Sequence, residues 1–156
     1  MKSDNMKYSE KITNKLNDLL ARTYDAEKGY KLAQEKVDNP TINSFLGDKV
    51  KQRYNFGLEL KEEIKNFGAS PEKDGSIKGD VHRTWMNLTS ALSNNNEERI
   101  LEEVERGEKA SIEEYNDILE ENDIAMVPST HKLLMKQRDE IKNALNNAKI
   151  FEASVS

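Results

Sequence analysis

Several polar residues fall where an amphipathic helix should be apolar. Glu27 interrupts a stripe between Thr23 and Tyr30, and Glu108 interrupts another between Val104 and Ile112. Gln52 and Arg53 break a third stripe, and Gln137, Arg138 and Glu140 lie on or beside a fourth. A carboxylate turned inward is costly unless a cation or a hydrogen-bond donor meets it. Two chemistries supply that. The first is a carboxylate metal centre. Bundles that hold two iron or manganese ions draw one Glu from each of two helices and a Glu-x-x-His from each of the other two, because such cations take oxygen ligands and imidazole completes an open coordination sphere. On that reading the metal candidates are Glu27, Glu108, Glu140 and Gln52, with Gln52-x-x-Asn55 and Glu140-x-x-Asn143 at the i, i+3 spacing. Neither pair offers a histidine, and an amide stands at one carboxylate position, so the pattern is half met. The second chemistry is structural: Glu27 and Glu108 pair with Arg53, Arg138 or a buried tyrosine hydroxyl.

The two histidines add little to a catalytic case. His82 stands in His82-Arg83-x-Trp85-x-x-Leu88, where packing of Trp85 is the plainer account of the pattern. His131 falls in the first turn of the last helix, at the expected surface. Neither has a Ser, Asp or Glu at a spacing that suggests a nucleophile and its base, so no catalytic residue is expected. The absence of cysteine removes thiol catalysis, disulfides and cysteine-ligated metal centres.

These residues need elements to carry them, and the hydrophobic period provides four long ones. Apolar residues at helical spacing predict helices over about 8–38, 41–67, 97–122 and 129–152, with a short helix over about 80–92 that places Val81, Trp85, Leu88 and Leu92 on one side. Asn39-Pro40 ends the first and caps the second, Gly68 and Pro71 stop the second, and Asn96 after Ser93-Asn94-Asn95 caps the next. Two tight hairpins joined by some thirty residues, as opposed to three short turns, predict an antiparallel four-helix bundle with a long crossover. If the first hairpin turns near Asn39, Glu27 faces Lys51 and Gln52. If the second turns near Ala125, Glu108 faces the level of Glu140 and Asn143. Gly29, Gly57 and Gly107 lie inside helices, where close helix approach, a local bulge, or an exposed position that simply tolerates glycine would each explain them.

At 156 residues a single domain is the expectation. Acidic and basic residues are interspersed and the net charge is −5, which argues against binding a phosphate backbone. No stretch reads as a secretory signal or a membrane span, so a cytoplasmic protein is expected.

The crossover Gly75-Ser76-x-x-Gly79-x-x-His82-Arg83-x-Trp85-x-x-Leu88, followed by Glu102-x-x-Glu105-Arg106-Gly107-Glu108, resembles an uncharacterised bacterial family of ferritin-like bundles, a domain of unknown function. Leu16-Asn17-Asp18-Leu19-Leu20 and Asp25-Ala26-Glu27-Lys28-Gly29-Tyr30 in the first helix are similar to it as well. The resemblance spans about Leu16 to Ala144 and implies the ferritin-like fold. Departure at both Glu-x-x-His positions argues against ferroxidase or peroxidase chemistry. The resulting expectation is a non-enzymatic, stress-associated interaction or structural bundle with a degenerate metal layer and no cofactor. Its alternative is a carboxylate bundle that binds iron or manganese. A homo-oligomer is a third expectation, resting on Trp85 and the amphipathic crossover segment lying outside the main bundle.

Overall fold

A computed structural model describes residues 2–75, 80–92 and 96–156, with the side chains of residues 2–7, 80, 81, 89 and 90 set aside. Ser76, Gly79, Ser93, Asn94 and Asn95 therefore lie outside the described residues, as does the side chain of Val81. Among the described residues six helices follow in order: α1 (Lys2–Lys36), α2 (Pro40–Asn66), α3 (Asp80–Leu92), α4 (Glu97–Leu119), α5 (Asn122–Ala125) and α6 (Pro128–Val155). No strand occurs among the described residues, and the chain is an all-α bundle.

Local chemistry sets the ends of α2. Asn39 Oδ1 accepts from the amides of Thr41 at 3.0 Å and Ile42 at 3.2 Å, satisfying two donors that a helix start leaves unpaired. Pro40, which has no amide hydrogen, takes the first turn. At the far end Gly68 adopts a φ of 81°, a left-handed backbone that glycine enters without strain. Its amide donates to Lys65 O at 2.8 Å, and that of Ala69 donates to Ile64 O at 3.2 Å, closing the helix. Asn96 caps α4 by accepting from the Arg99 amide at 3.1 Å.

Contacts across helices give their directions. Asn43, early in α2, donates to the carbonyls of Gln34 late in α1 and Val37 just after it, while Asn17 contacts Ser70 and Glu72 beyond the end of α2. The two helices are antiparallel. Helix α4 also opposes α1, because Tyr8 meets Asp123, Arg22 meets Glu114, Tyr30 meets Glu108 and Asn39 meets Glu97. The described parts of the α2–α4 connection lie beside successively later residues of α1: Glu72 at Asn17, Gly75 at Asp25 and Trp85 at Gly29.

Helix α1 begins at Lys2, ahead of the expected start at about 8, and two further features differ from the sequence reading. Helix α4 stops at Leu119, short of the expected end near 122, and α5 forms a helical turn at the second hairpin. The cause is Ile124, which is fully buried and draws the turn inward, while Tyr8 OH donates to Asp123 O at 2.7 Å and ties the turn to α1. The crossover segment also differs: α3 is not an appendage outside the bundle. It packs between α1 and α4, with Trp85 and Leu88 fully buried, so the surface on which self-association was expected is interior.

The core has two apolar parts. One gathers Tyr30, Leu46, Trp85, Leu88 and Leu101 toward the α1–α2 turn. The other gathers Leu16, Leu20, Phe56, Leu60 and Ile141 toward the opposite end. Thr23, Arg53, Glu108 and Ser111, all buried and polar, fall between the two sets along their helices.

Candidate functional site

This polar waist is built around one guanidinium. Arg53 on α2 is 2% exposed, and Glu108 on α4 is fully buried. Arg53 Nη1 donates to Glu108 Oε2 at 3.1 Å, and Nη2 donates to Glu108 Oε1, giving a two-point pair. Tyr30 OH on α1 donates to Glu108 Oε2 at 2.7 Å, so both carboxylate oxygens are engaged. Arg53 Nη1 also donates to Gln52 Oε1 at 2.9 Å. The rings of Tyr30, Phe56 and Trp85 have centroids 5.7, 5.6 and 5.9 Å from Arg53 Cζ, so the cation sits against three aromatic groups.

The electrostatics follow from this enclosure. Burial works against the charge on Arg53, but Glu108 and Tyr30 beside it hold the guanidinium protonated and raise its pKa. Burial, with the Glu108 charge alongside, pushes the Tyr30 hydroxyl well above its ordinary value, so it acts as a fixed donor. One step away, Tyr115 OH donates to Gln137 Oε1 at 2.7 Å. Gln137 Nε2 in turn donates to Glu59 Oε1 at 3.2 Å and lies 3.4 Å from Phe56 O. Burial likewise raises Tyr115.

Trp85 closes the waist from the α3 side. A Cβ at Gly107 would come 2.8 Å from Trp85 Cε2 and Cζ2, and one at Gly29 would come 2.8 Å from Cε3. The indole therefore fills a slot that exists because α1 and α4 each present bare backbone there. Its ring stacks at a tilt on Tyr30, with centroids 5.1 Å apart. The indole Nε1 is buried and meets no acceptor among the described residues.

The four metal candidates are not brought to one point. Glu108 is where the stripe placed it, but its oxygens belong to Arg53 and Tyr30. Glu27 is half-buried and lines a groove between α1, residues 73–75 and α3, so it does not share the interior with Glu108. The α1 stripe was read too narrowly: this helix is covered by α3 as well as by α2 and α4, and Glu27 sits at the rim of that wider face. Glu140 and Gln52 do come together, in an α2–α6 groove of about 590 Å3 that Lys51, Lys136 and Glu59 also line. Among the described residues no three His, Asp or Glu side chains are placed to hold one metal ion. A dinuclear centre does not fit this waist, because the guanidinium already supplies the positive charge that Glu108 requires. Arg138 serves elsewhere, donating to Asn116 Oδ1 at 3.1 Å on the α4–α6 seam.

Sequence reasoning passed over Asp25. Its side chain is 5% exposed and accepts from His82 Nδ1 at 3.1 Å, which gives His82 the acidic partner that spacing along the chain does not reveal. The signal was present as a second α1 stripe of small residues, Ala21, Gly29 and Ala33, with Asp25 in its midst, the mark of a close helix neighbour. Glu114 was also unmarked. It lies 2.6 Å from Arg22 Nε, yet burial outweighs the guanidinium. With Asp18, Asp117 and Asp25 nearby, its pKa is pushed up to about 7.

Residues 11–121 match the model of a family described as Domain of unknown function (DUF2383). That span contains Tyr30, Arg53, Trp85 and Glu108, while Gln137 and Glu140 lie beyond it. No curated protein matches the chain.

Proposed function

The chain belongs to the DUF2383 family, and on the chemistry of its interior we propose a non-enzymatic structural or interaction bundle of ferritin-like arrangement. In this reading the level at which related architectures gather metal-binding carboxylates is occupied by the chain's own cation. The observation that carries it is the enclosed Arg53–Glu108 pair with Tyr30 donating to the same carboxylate. A guanidinium held by two oxygens and three rings neutralises Glu108, so a divalent ion there would meet a like charge within contact distance. The stress association and the cytoplasmic setting belong to the same proposal. No helix among the described residues is long and apolar enough to cross a membrane.

Metal loading tests the reading directly. The protein is purified with added iron, manganese or zinc, its metal content is measured, and its melting temperature is followed against metal concentration. The expected result is sub-stoichiometric metal and an unmoved melting temperature, since an ion that bound only the folded state would raise it. A stoichiometric ion lost in Glu108→Ala would overturn the proposal. The alternative, a carboxylate metal site, is favoured by one observation, the meeting of Gln52, Glu59 and Glu140 in the α2–α6 groove. Metal binding lost in Glu140→Ala and retained in Glu108→Ala would select it.

A further inference from the structure

A separate groove of about 560 Å3 opens between α1, residues 73–75 and α3, away from the Arg53–Glu108 pair. Its deepest polar feature is the Asp25–His82 contact. A carboxylate oxygen can only accept, so the hydrogen in that 3.1 Å contact rides on His82 Nδ1 and orients the ring. Nε2 is the nitrogen left for a ligand, an acceptor in the neutral ring and an N–H donor in the imidazolium, and the His82 side chain is 20% exposed where it lines the groove. Asp25 itself is sheltered: any side chain at Gly75 would collide with its Oδ1, so the loop backbone closes over the carboxylate. Lys28 and Lys31, three residues apart on one face of α1, and Lys73 from the opposite wall line the same groove. These three lysines form no ion pair among the described residues. Glu27 and Asp74 stand among them, and Met86 supplies an apolar wall.

We propose that this groove binds a small ligand through a terminal anionic group, a phosphate or a carboxylate, received by the Nε2–H of His82 in its imidazolium form and by the ammonium groups of Lys28, Lys31 and Lys73. Asp25 acts as a positioning residue, holding the imidazole with Nε2 toward the ligand. Glu27 and Asp74 favour a ligand that carries a positive or hydrogen-bond-donating group beyond its anionic end.

The test uses the full chain, titrated calorimetrically with inorganic phosphate and, in parallel, with acetate, which separates a phosphate group from a carboxylate. Ring nitrogen spectra of the two histidines are recorded during each titration. Saturable one-site binding of either anion is expected, with the His82 ring resonances moving and those of His131 still. His82→Gln keeps a donor for Asp25 but removes Nε2, and Lys31→Gln changes only a solvent-exposed side chain. Each should weaken binding at least tenfold with no change in melting temperature. Absence of saturable binding by both anions, equal affinity in both variants, or zinc saturating His82 in their place would each overturn the proposal.

Discussion

A carboxylate 2.6 Å from a guanidinium is ordinarily held ionised, and Glu114 departs from that rule for reasons visible around it. It is mostly buried, Asp18, Asp117 and Asp25 crowd it, and its pKa is pushed up to about 7 from 4.5. Between those two values the native chain binds a proton more readily than the unfolded chain, so this residue's contribution to stability is greatest at the acidic end and declines as pH rises toward 7. Glu114→Gln, which imitates the protonated form, should flatten that decline and melt a few degrees above the parent protein at about pH 8. A variant that melts lower at about pH 8 would show that the Arg22 pairing outweighs burial. At this scale Glu108 and Arg53 were legible, because a charged residue on an apolar stripe is conspicuous. Asp25 was not, because its partner lies 57 positions away on a helix whose docking face the period does not specify.

Among the elements, α3 shows how glycine and tryptophan act together. The sequence offered Gly29, Gly107 and Trp85 as three separate facts; the fold joins them, since the two glycines form the walls of the slot that the indole fills. In an exposed helix Gly→Ala stabilises by about 1 kcal/mol. Gly107→Ala should instead destabilise, because the new methyl would fall 2.8 Å from a rigid, fully buried ring. The sign should reverse in a Trp85→Ala background, where the methyl enters the space the ring has left. Urea denaturation of the two single variants and the double variant measures this coupling, and additive effects would remove the wedge from the account. The long helices, their caps and their hairpins were readable because Asn39, Gly68 and Asn96 act locally. The inward docking of α3 and the helical turn at α5 were not, since each depends on what a distant surface leaves open.

Over the whole molecule, the Arg53–Glu108 pair divides one apolar half from the other, and its contribution to stability can be separated from its contribution to order. Glu108→Ala strands a buried guanidinium and should cost about 3–5 kcal/mol in chemical denaturation. Replacing both partners, Arg53→Met with Glu108→Leu, should recover most of that loss, because two apolar side chains need no mutual compensation. A double variant as unstable as the single one would mean that the rings around Arg53, and not its charge, govern the site. The bundle as a class could be read from four stripes and their connections, but which helices face each other across the centre could not. Tyr30, Arg53 and Glu108 are 23 and 55 residues apart in succession, and only packing brings them together.

The two-point geometry between α2 and α4 has a mechanical corollary. Apolar side chains tolerate sliding, since one leucine replaces another with little penalty, and a long helix can slip a full turn, about 5.4 Å, past its neighbour. Here such a slip would carry both ionic groups into hydrocarbon at once, each far from its counterpart. The pair thus behaves as a key cut for one setting, and the helices are free to breathe sideways but not to change their alignment along the axis.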